Sequence, residues 1–348
     1  MTPTDPTRRL TPVVRLAPAK LNLTLAVVGR RPDGYHALHS VMAPLALADR
    51  LSLAPDPSPD ARDRVRVDGF DAGPAADNLV LRALEATRRA LRPHLALPPP
   101  ALAVRLEKRI PVAAGLAGGS SDAAAAIDGA LEAWSATDVL APAERSALAA
   151  SIGSDVPFFL VGGPALVEGR GERVTSLRGL RPLATERAPG LLLVTPAVAA
   201  HTAAVFAAWA AGAMGQPGVA ARSSEHFAAE FGSGLSVKAF LERAGVLAAS
   251  NDLLPAASVV VFGLVSLRRA LARLLARPIG LSGSGPTLWA LYPSLDAADL
   301  AAASVRAAVS TGIVTAPGDD PPFVAATTFL TATEPLITLD PPTARSNA

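Results

Sequence analysis

Residues 115–126 read Gly-Leu-Ala-Gly-Gly-Ser-Ser-Asp-Ala-Ala-Ala-Ala, a glycine-rich turn that runs through two hydroxyls into a strong helix former. Glycines here let the backbone bend and approach a ligand closely, while Ser120 or Ser121 can cap the helix that follows. The first-turn N–H groups of such a helix point at whatever lies in front, which makes the stretch either a cradle for a phosphate or a tight connection. The spacing predicts a strand over 101–106 before it and a helix over 122–134 after it, joined by residues that carry no Gly-Lys-Ser/Thr, so it is not a Walker loop. Nor does the chain hold a Gly-x-Gly-x-x-Gly at a strand end, a Gly-x-Ser-x-Gly elbow or a His-Glu-x-x-His helix.

Working outward, residues 13–28 alternate so that Lys20, Asn22 and Thr24 share one face and Leu21, Leu23 and Leu25 the other. Residues 30–34 form a turn, Tyr35 and His36 follow, and an apolar segment runs to about residue 53. A Pro/Asp loop spans 56–63, and Asp77-Asn78 opens a helix to residue 91. On the far side of the glycine turn the pattern predicts a helix over 142–152 and a turn at Gly153-Ser154-Asp155-Val156-Pro157. From about residue 172 come a strand, two helices, an apolar helical stretch over 259–276, a second glycine turn at 281–287, a strand at 288–292 and a helix at 297–309. A last strand at 323–330 returns to the first domain, and 331–348 is a Pro/Thr tail expected to be disordered.

The chain has 348 residues, half of them hydrophobic, which is about two domains with ample core. It contains no cysteine, which excludes disulfides and thiolate metal sites, and suits the cytoplasm. The start of the chain lacks the apolar run of a signal peptide. Residues 188–221 are long and uncharged, but Pro189, Pro196 and Pro217 break them, so they read as a strand at 191–195 and a buried helix at 201–213 rather than a membrane span. With 32 basic and 30 acidic residues, and arginines scattered without aromatic interleaving, nucleic acid is not indicated. Among the basic residues only Lys20, Lys108 and Lys238 are lysine, so each marks a place where a compact ammonium could be wanted instead of a planar fork.

Lys20 beside Asn22 on a strand is either an exposed edge lysine or an ammonium and an amide aimed together. Asp155 is either a turn former or a carboxylate that accepts, or helps polarise, a hydroxyl proton during phosphoryl transfer. The turn at 281–287 either closes over phosphates or reverses the chain. His39, His94, His201 and His226 have no motif partner.

Together, Lys20 in Pro-Ala-Lys-Leu-Asn-Leu, Asp33-Gly34-Tyr35-His36, and residues 111–124, 153–159 and 281–285 resemble the signatures of the GHMP kinase superfamily. Asp33–His36 and the Lys-Leu-Asn segment are similar to the branch acting on 4-diphosphocytidyl-2-C-methyl-D-erythritol in the non-mevalonate isoprenoid pathway. The resemblance runs from about residue 13 to 330. It implies an α+β, two-domain fold: an N-terminal α/β ATP domain like the second domain of ribosomal protein S5 (1–168, with 322–330 returning to it) and a ferredoxin-like C-terminal domain (169–321).

The resemblance also implies ATP-dependent phosphorylation of the 2-hydroxyl of that small molecule, with Mg2+ on the nucleotide and no protein ligand to the metal assigned. Lys20 and Asp155 match the catalytic pair, Asp155 acting as base or orienting the hydroxyl. Asn78, Lys108, Pro111, Gly115, Leu116, Ala117, Gly118, Gly119, Ser120 and Ser121 match nucleotide-binding positions. Asn22, Tyr35, His36, Thr202, Phe206, Gly283 and Ser284 match substrate-binding positions, Tyr35 and His36 holding the cytosine. Ala117 stands where the superfamily has glycine, and Arg170 and Glu172 stand where small or acidic residues are expected. The rival readings are a homoserine or mevalonate kinase, which would lack Tyr35-His36, and an inactive ligand-binding regulator, which would have lost Lys20 and Asp155. The expected protein acts without membrane or nucleic acid, as a monomer or weak homodimer.

Overall fold

The structure is a computed structural model and describes residues 12–330 except 57, 59–60, 75–76, 182, 184–185 and 213–218. The expectations for the first residues and for the tail at 331–348 lie outside the described residues. One long strand organises the first half: β3 (His36–Asp56) pairs with β1 (Val13–Asn22), β2 (Ala26–Arg30), β5 (Ala101–Lys108) and β6 (Ala165–Gly169), all antiparallel. β4 (Arg64–Gly69) lies parallel to β5, and β7 (Arg173–Ser176) closes the other edge, giving seven strands. The arm expected over 13–28 is split, because the chain leaves β3 between β1 and β2, where Thr24 Oγ1 accepts from Val41 N at 3.0 Å.

A parallel neighbour needs a crossover, and α1 (Leu79–Leu91) supplies it between β4 and β5. Asn78 caps α1, its side chain accepting from Val80 N at 2.9 Å, and Arg88 and Arg89 complement the dipole in the last turn. Val80, Ala83, Leu84 and Leu91 form its buried stripe. They share a core with Leu51 and Leu53 of β3 and with α2 (Gly118–Ala133). α2 is built of alanine and glycine because it lies close to the sheet: a Cβ on Gly129 would meet Leu53 Cδ1 at 2.7 Å. α3 (Pro142–Ile152) and α4 (Val156–Phe159) complete this half.

The second half carries β8 (Gly190–Thr195), α5 (Thr202–Gly212), α6 (Val219–Ser233), α7 (Val237–Glu242), α8 (Ala244–Ala249), α9 (Leu254–Val260) and α10 (Leu264–Leu275). β9 (Gly280–Leu281), β10 (Leu288–Tyr292), α11 (Leu295–Ser310) and β11 (Phe323–Thr328) follow. The four strands form an antiparallel sheet in the order β11-β8-β10-β9. Numbered within this half, that is 4-1-3-2, the order of a ferredoxin-like sheet. All six β8 residues are buried, as expected of a strand covered on both faces. Leu192 and Val194 face the core with α10 and α11, whereas Leu191 and Leu193 join Leu21, Leu23, Leu45, Ile110 and Leu116. The two sheets thus share one apolar seam, which fixes the cleft between them.

Two expectations change here. The last strand belongs to the second sheet, β11 pairing with β8 along its whole length, and only its end returns to β3: Leu47 N donates to Thr327 Oγ1 at 2.9 Å, Leu45 and Phe329 form a bridge, and Leu330 N donates to Pro44 O at 2.9 Å. The helix at 201–213 is not buried either, since in α5 only Val205 is. Ala203, Ala207 and Ala210 of α5 wall a cavity. Among the described residues, no single helix is long and apolar enough to cross a membrane.

Candidate active site

A cavity of about 980 Å3 lies between the two glycine turns, the start of α2 and α5. Its floor is set by β1. A register shift between Pro18 and Lys20 aims Lys20 inward, where its ammonium is buried. Lys20 Nζ donates to Asn22 Oδ1 at 2.5 Å and to Gly115 O at 3.0 Å, and lies 3.8 Å from Asp155 Oδ2. Burial pulls the Lys20 ammonium below the ordinary lysine range, and the charge of Asp155 partly offsets that pull. Asn22 is fixed in turn by donating Nδ2 to Ser40 Oγ at 2.8 Å. The alternation read from the sequence therefore describes an ammonium and an amide in contact.

Asp155 sits at the N-cap of α4, yet its side chain makes no cap bond, and Val156 N turns back to Gly153 O instead. The turn is made by the backbone, which leaves the carboxylate free to face the cavity.

The two glycine turns interlock. Gly115 O accepts from Lys20 Nζ and also from Ser282 Oγ at 2.9 Å. Gly115 has φ +77°, and a Cβ there would lie 2.3 Å from Ser282 O. Gly283 is pressed against the same pair: a Cβ would meet Lys20 Nζ at 3.2 Å and Asn22 Oδ1 at 3.3 Å. Beside it, the Ser284 and Thr202 hydroxyls bond at 3.0 Å.

α2 begins at Gly118, four residues earlier than its sequence suggests, and neither serine caps it. Ala117 takes the cap position in the left-handed conformation, φ 55° and ψ 31°. The Ser121 N–H closes the first intrahelical bond, to Ala117 O at 3.0 Å, so the first-turn amides of Gly118, Gly119 and Ser120 are the ones left for a ligand. Ala117 thus accommodates its methyl at a strain of about 1–2 kcal/mol.

Under the loop, Lys108 Nζ donates to Asp122 Oδ2 at 2.8 Å and to Asp49, whose other oxygen accepts from Ile110 N at 2.8 Å. Burial lowers the lysine, but Asp122 and Asp49 outweigh it and hold its proton more tightly than usual. Asp122 is pushed up to about 7, chiefly by burial. Its Oδ1 is buried without a partner, though the residue lines the cavity.

At the far end, His36 stacks on Phe206 with ring centroids 5.2 Å apart and meets Trp209 edge-on at 5.3 Å. Burial, then the charge of Arg30, holds His36 below the ordinary histidine range, so it presents a neutral ring. Tyr35 is 54% exposed and available as a stacking surface.

Seventeen of the expected site residues line this one cavity: Lys20, Asn22, Tyr35, His36, Asn78, Lys108, Pro111, Gly115, Ala117, Gly118, Gly119, Ser120, Asp155, Thr202, Phe206, Gly283 and Ser284. Two do not. Leu116 is fully buried in the apolar seam and offers only its carbonyl, which accepts from Lys20 N at 3.0 Å. Ser121 points to the rear of α2, because successive helical residues diverge by about 100° and Ser120 takes the cavity side. Sequence reasoning missed Asp49, Asp122, Ser40, Arg30 and Arg170. The visible signals were Asp49, which with Arg50 interrupts the apolar run of β3, and Arg170, which stands where a small or acidic residue was expected.

The strand, glycine loop and helix over a cleft floored by a lysine and an aspartate define a small-molecule phosphotransferase of the GHMP kinase class, and residues 78–163 match the GHMP kinases N terminal domain. A 4-diphosphocytidyl-2-C-methyl-D-erythritol kinase of Pelotomaculum thermopropionicum is 37% identical over 294 residues, covering 84% of this chain and 94% of the relative. Another, of Methylorubrum extorquens, is 40% identical over 305 residues, with the same coverages of 84% and 94%. A crystal structure of 4-(cytidine 5'-diphospho)-2C-methyl-D-erythritol kinase superposes with a TM-score of 0.62 at 32% identity, covering 90% of this chain and 99% of that one. A homoserine kinase from Cytophaga hutchinsonii shares the fold, with a TM-score of 0.62 at 16% identity over 94% of this chain and 98% of that one. The chain belongs to the 4-diphosphocytidyl-2-C-methyl-D-erythritol kinase family. It is an ATP-using small-molecule kinase of isoprenoid biosynthesis.

Proposed function

We propose that this cleft moves the terminal phosphoryl group of ATP to the 2-hydroxyl of 4-diphosphocytidyl-2-C-methyl-D-erythritol, with Lys20 and Asp155 at the reacting end. The observation that carries the assignment is the Lys20–Asp155 contact at 3.8 Å, too long for a hydrogen bond and open on the cavity side. A hydroxyl placed there donates to the Asp155 carboxylate, which takes its proton or turns it away from the line of attack. Lys20, held by Asn22 and Gly115, stabilises the oxygen as negative charge develops. Phosphoryl transfer needs little covalent help, so positioning and charge supply most of the rate under either role of Asp155.

The first turn of α2 would receive the phosphates. A Cβ on Gly118 would meet Ile110 Cγ2 at 3.0 Å, so the bare backbone is needed there, and three amides face the cavity without intrahelical acceptors. Asn78, Lys108 and Pro111 line the side of the cavity where the nucleoside would lie. Mg2+ would be carried on the nucleotide, as is usual for Mg2+ at phosphates. The Ser120 hydroxyl would share in holding it, and the ion would neutralise phosphate charge. Tyr35, His36 and Phe206 would hold the cytosine, the neutral His36 being able to donate from one ring nitrogen and accept at the other.

A coupled ADP-release assay comparing 4-diphosphocytidyl-2-C-methyl-D-erythritol, homoserine and mevalonate tests the reading. Turnover confined to the first is expected, and its absence would sink the assignment.

A further inference from the structure

Arg170 and Glu172, unexplained in the sequence, lie in the turn between β6 and β7 beside the turn that carries Tyr35. Arg31 staples the two turns, bonding Asp33 at 3.0 Å and Glu172 at 3.6 Å. Glu172 also accepts from Arg170 N at 2.7 Å, which fixes the direction in which Arg170 leaves the turn. Its guanidinium lies over the Tyr35 ring, 5.6 Å from the centroid. Arg30 stands opposite His36 in the β2–β3 ladder, so the two guanidiniums flank the Tyr35-His36 pair.

The cations of this cavity divide sharply. Lys20 faces Asp155, and Lys108 is clamped by Asp49 and Asp122. Arg31, outside the cavity lining, spends its charge on two carboxylates. Arg30 and Arg170 line the cavity, yet among the described residues neither has a carboxylate within 4.0 Å. Two guanidiniums that line one cavity without a carboxylate in ion-pair range, Arg170 feeling only the more distant charge of Asp33, lower the energy of an anion placed near them. A guanidinium stacked on an aromatic face keeps its edge donors free for the two oxygens of a phosphate.

We propose that Arg30 and Arg170 form an anion subsite at the pyrimidine end, taking the diphosphate of a cytidine diphosphate ester and making diphosphate, not only the base, a requirement for binding. This rests on the cytosine being held at Tyr35 and His36. A negative charge next to the base is what separates such a substrate from homoserine or mevalonate.

The test measures binding of cytidine and of CDP by calorimetry, with the nucleotide site saturated by a non-hydrolysable ATP analogue, in wild type, Arg30→Gln, Arg170→Gln and Arg170→Lys. Each glutamine variant is expected to weaken CDP about tenfold and leave cytidine within about twofold, as loss of a charged hydrogen bond would. Arg170→Lys keeps the charge and most of the CDP affinity. Equal losses for cytidine and CDP would reduce Arg170 to a brace for Tyr35 and overturn the subsite, as would unchanged CDP affinity. A wild type that binds neither probe would overturn the cytosine reading beneath it.

Discussion

Gly115→Ala, in the glycine loop, and Gly119→Ala, in the first turn of α2, lie four residues apart and are expected to fail in different ways. At Gly115, φ is +77° and the new methyl would sit 2.3 Å from Ser282 O and 3.0 Å from Gly285 O, both backbone atoms. The left-handed conformation costs an L-residue about 1–2 kcal/mol. Overpacking against a backbone that can only shift adds about 1–3 kcal/mol. A total of about 2–5 kcal/mol corresponds to a fall in Tm of roughly 3–7 °C for a chain of this size. Separation of the two glycine turns also moves the carbonyl that Lys20 and Ser282 share, so kcat falls about tenfold or more. At Gly119 the methyl meets nothing closer than Leu79 Cδ1 at 3.7 Å, and the backbone is helical. Alanine there leaves Tm unchanged or raises it, by up to about 1 kcal/mol of helix propensity. The methyl nevertheless narrows the phosphate cradle, so KM for ATP rises about tenfold while stability does not fall. Scanning fluorimetry and the ADP-release assay read both effects. A Gly115→Ala protein with wild-type Tm and kcat, or a Gly119→Ala protein with wild-type KM for ATP, would refute the reasoning.

Asp155→Ala should cut kcat by about 10²–10⁴-fold with nucleotide affinity retained, as followed by calorimetry; unchanged turnover would remove Asp155 from the chemistry. Ser120→Ala should raise KM for ATP, whereas Ser121→Ala, which deletes a buried hydroxyl without a partner, should leave kinetics alone and stability equal or higher; the reverse pattern would mean that the serines are misassigned. Asp122 is raised from 3.8 to about 7 in the folded protein, so between those values the native state holds a proton that the unfolded chain has released. The stability it contributes is complete below 3.8 and is lost as pH rises through about 7. In urea titrations across that window Asp122→Asn should flatten the decline, and an unchanged slope would assign the decline elsewhere.

What the sequence disclosed was local. A period of two placed Lys20 and Asn22 together, and Asp77-Asn78 marked the cap of α1, because both depend on neighbours a few residues away. The start of α2 was misread for a local reason of another kind: Ser120 and Ser121 are good caps by type, but the helix is begun by a strained alanine that offers no side-chain bond. α5 was read as core because hydrophobicity does not distinguish an interior from the wall of a ligand cavity. The Asp49–Lys108–Asp122 cluster joins residues 59 and 14 positions apart in the chain. The partner of β11 is a strand more than a hundred residues upstream. No periodicity encodes such pairings, and Arg170 over Tyr35 depends on them too.

β8 takes its outer neighbour from more than a hundred residues downstream, six paired residues from Phe323 to Thr328. On the ribosome, β8 is therefore made long before the strand that covers its edge. A nascent chain arrested short of residue 323 would display an open ladder on a strand whose six residues are all buried in the finished protein. Such an edge is sticky while translation continues, and frameshift or stop mutations upstream of residue 323 should give aggregates rather than weakened enzymes. β11, which contributes no residue to the cavity lining, would thus be needed for a soluble product rather than for the chemistry.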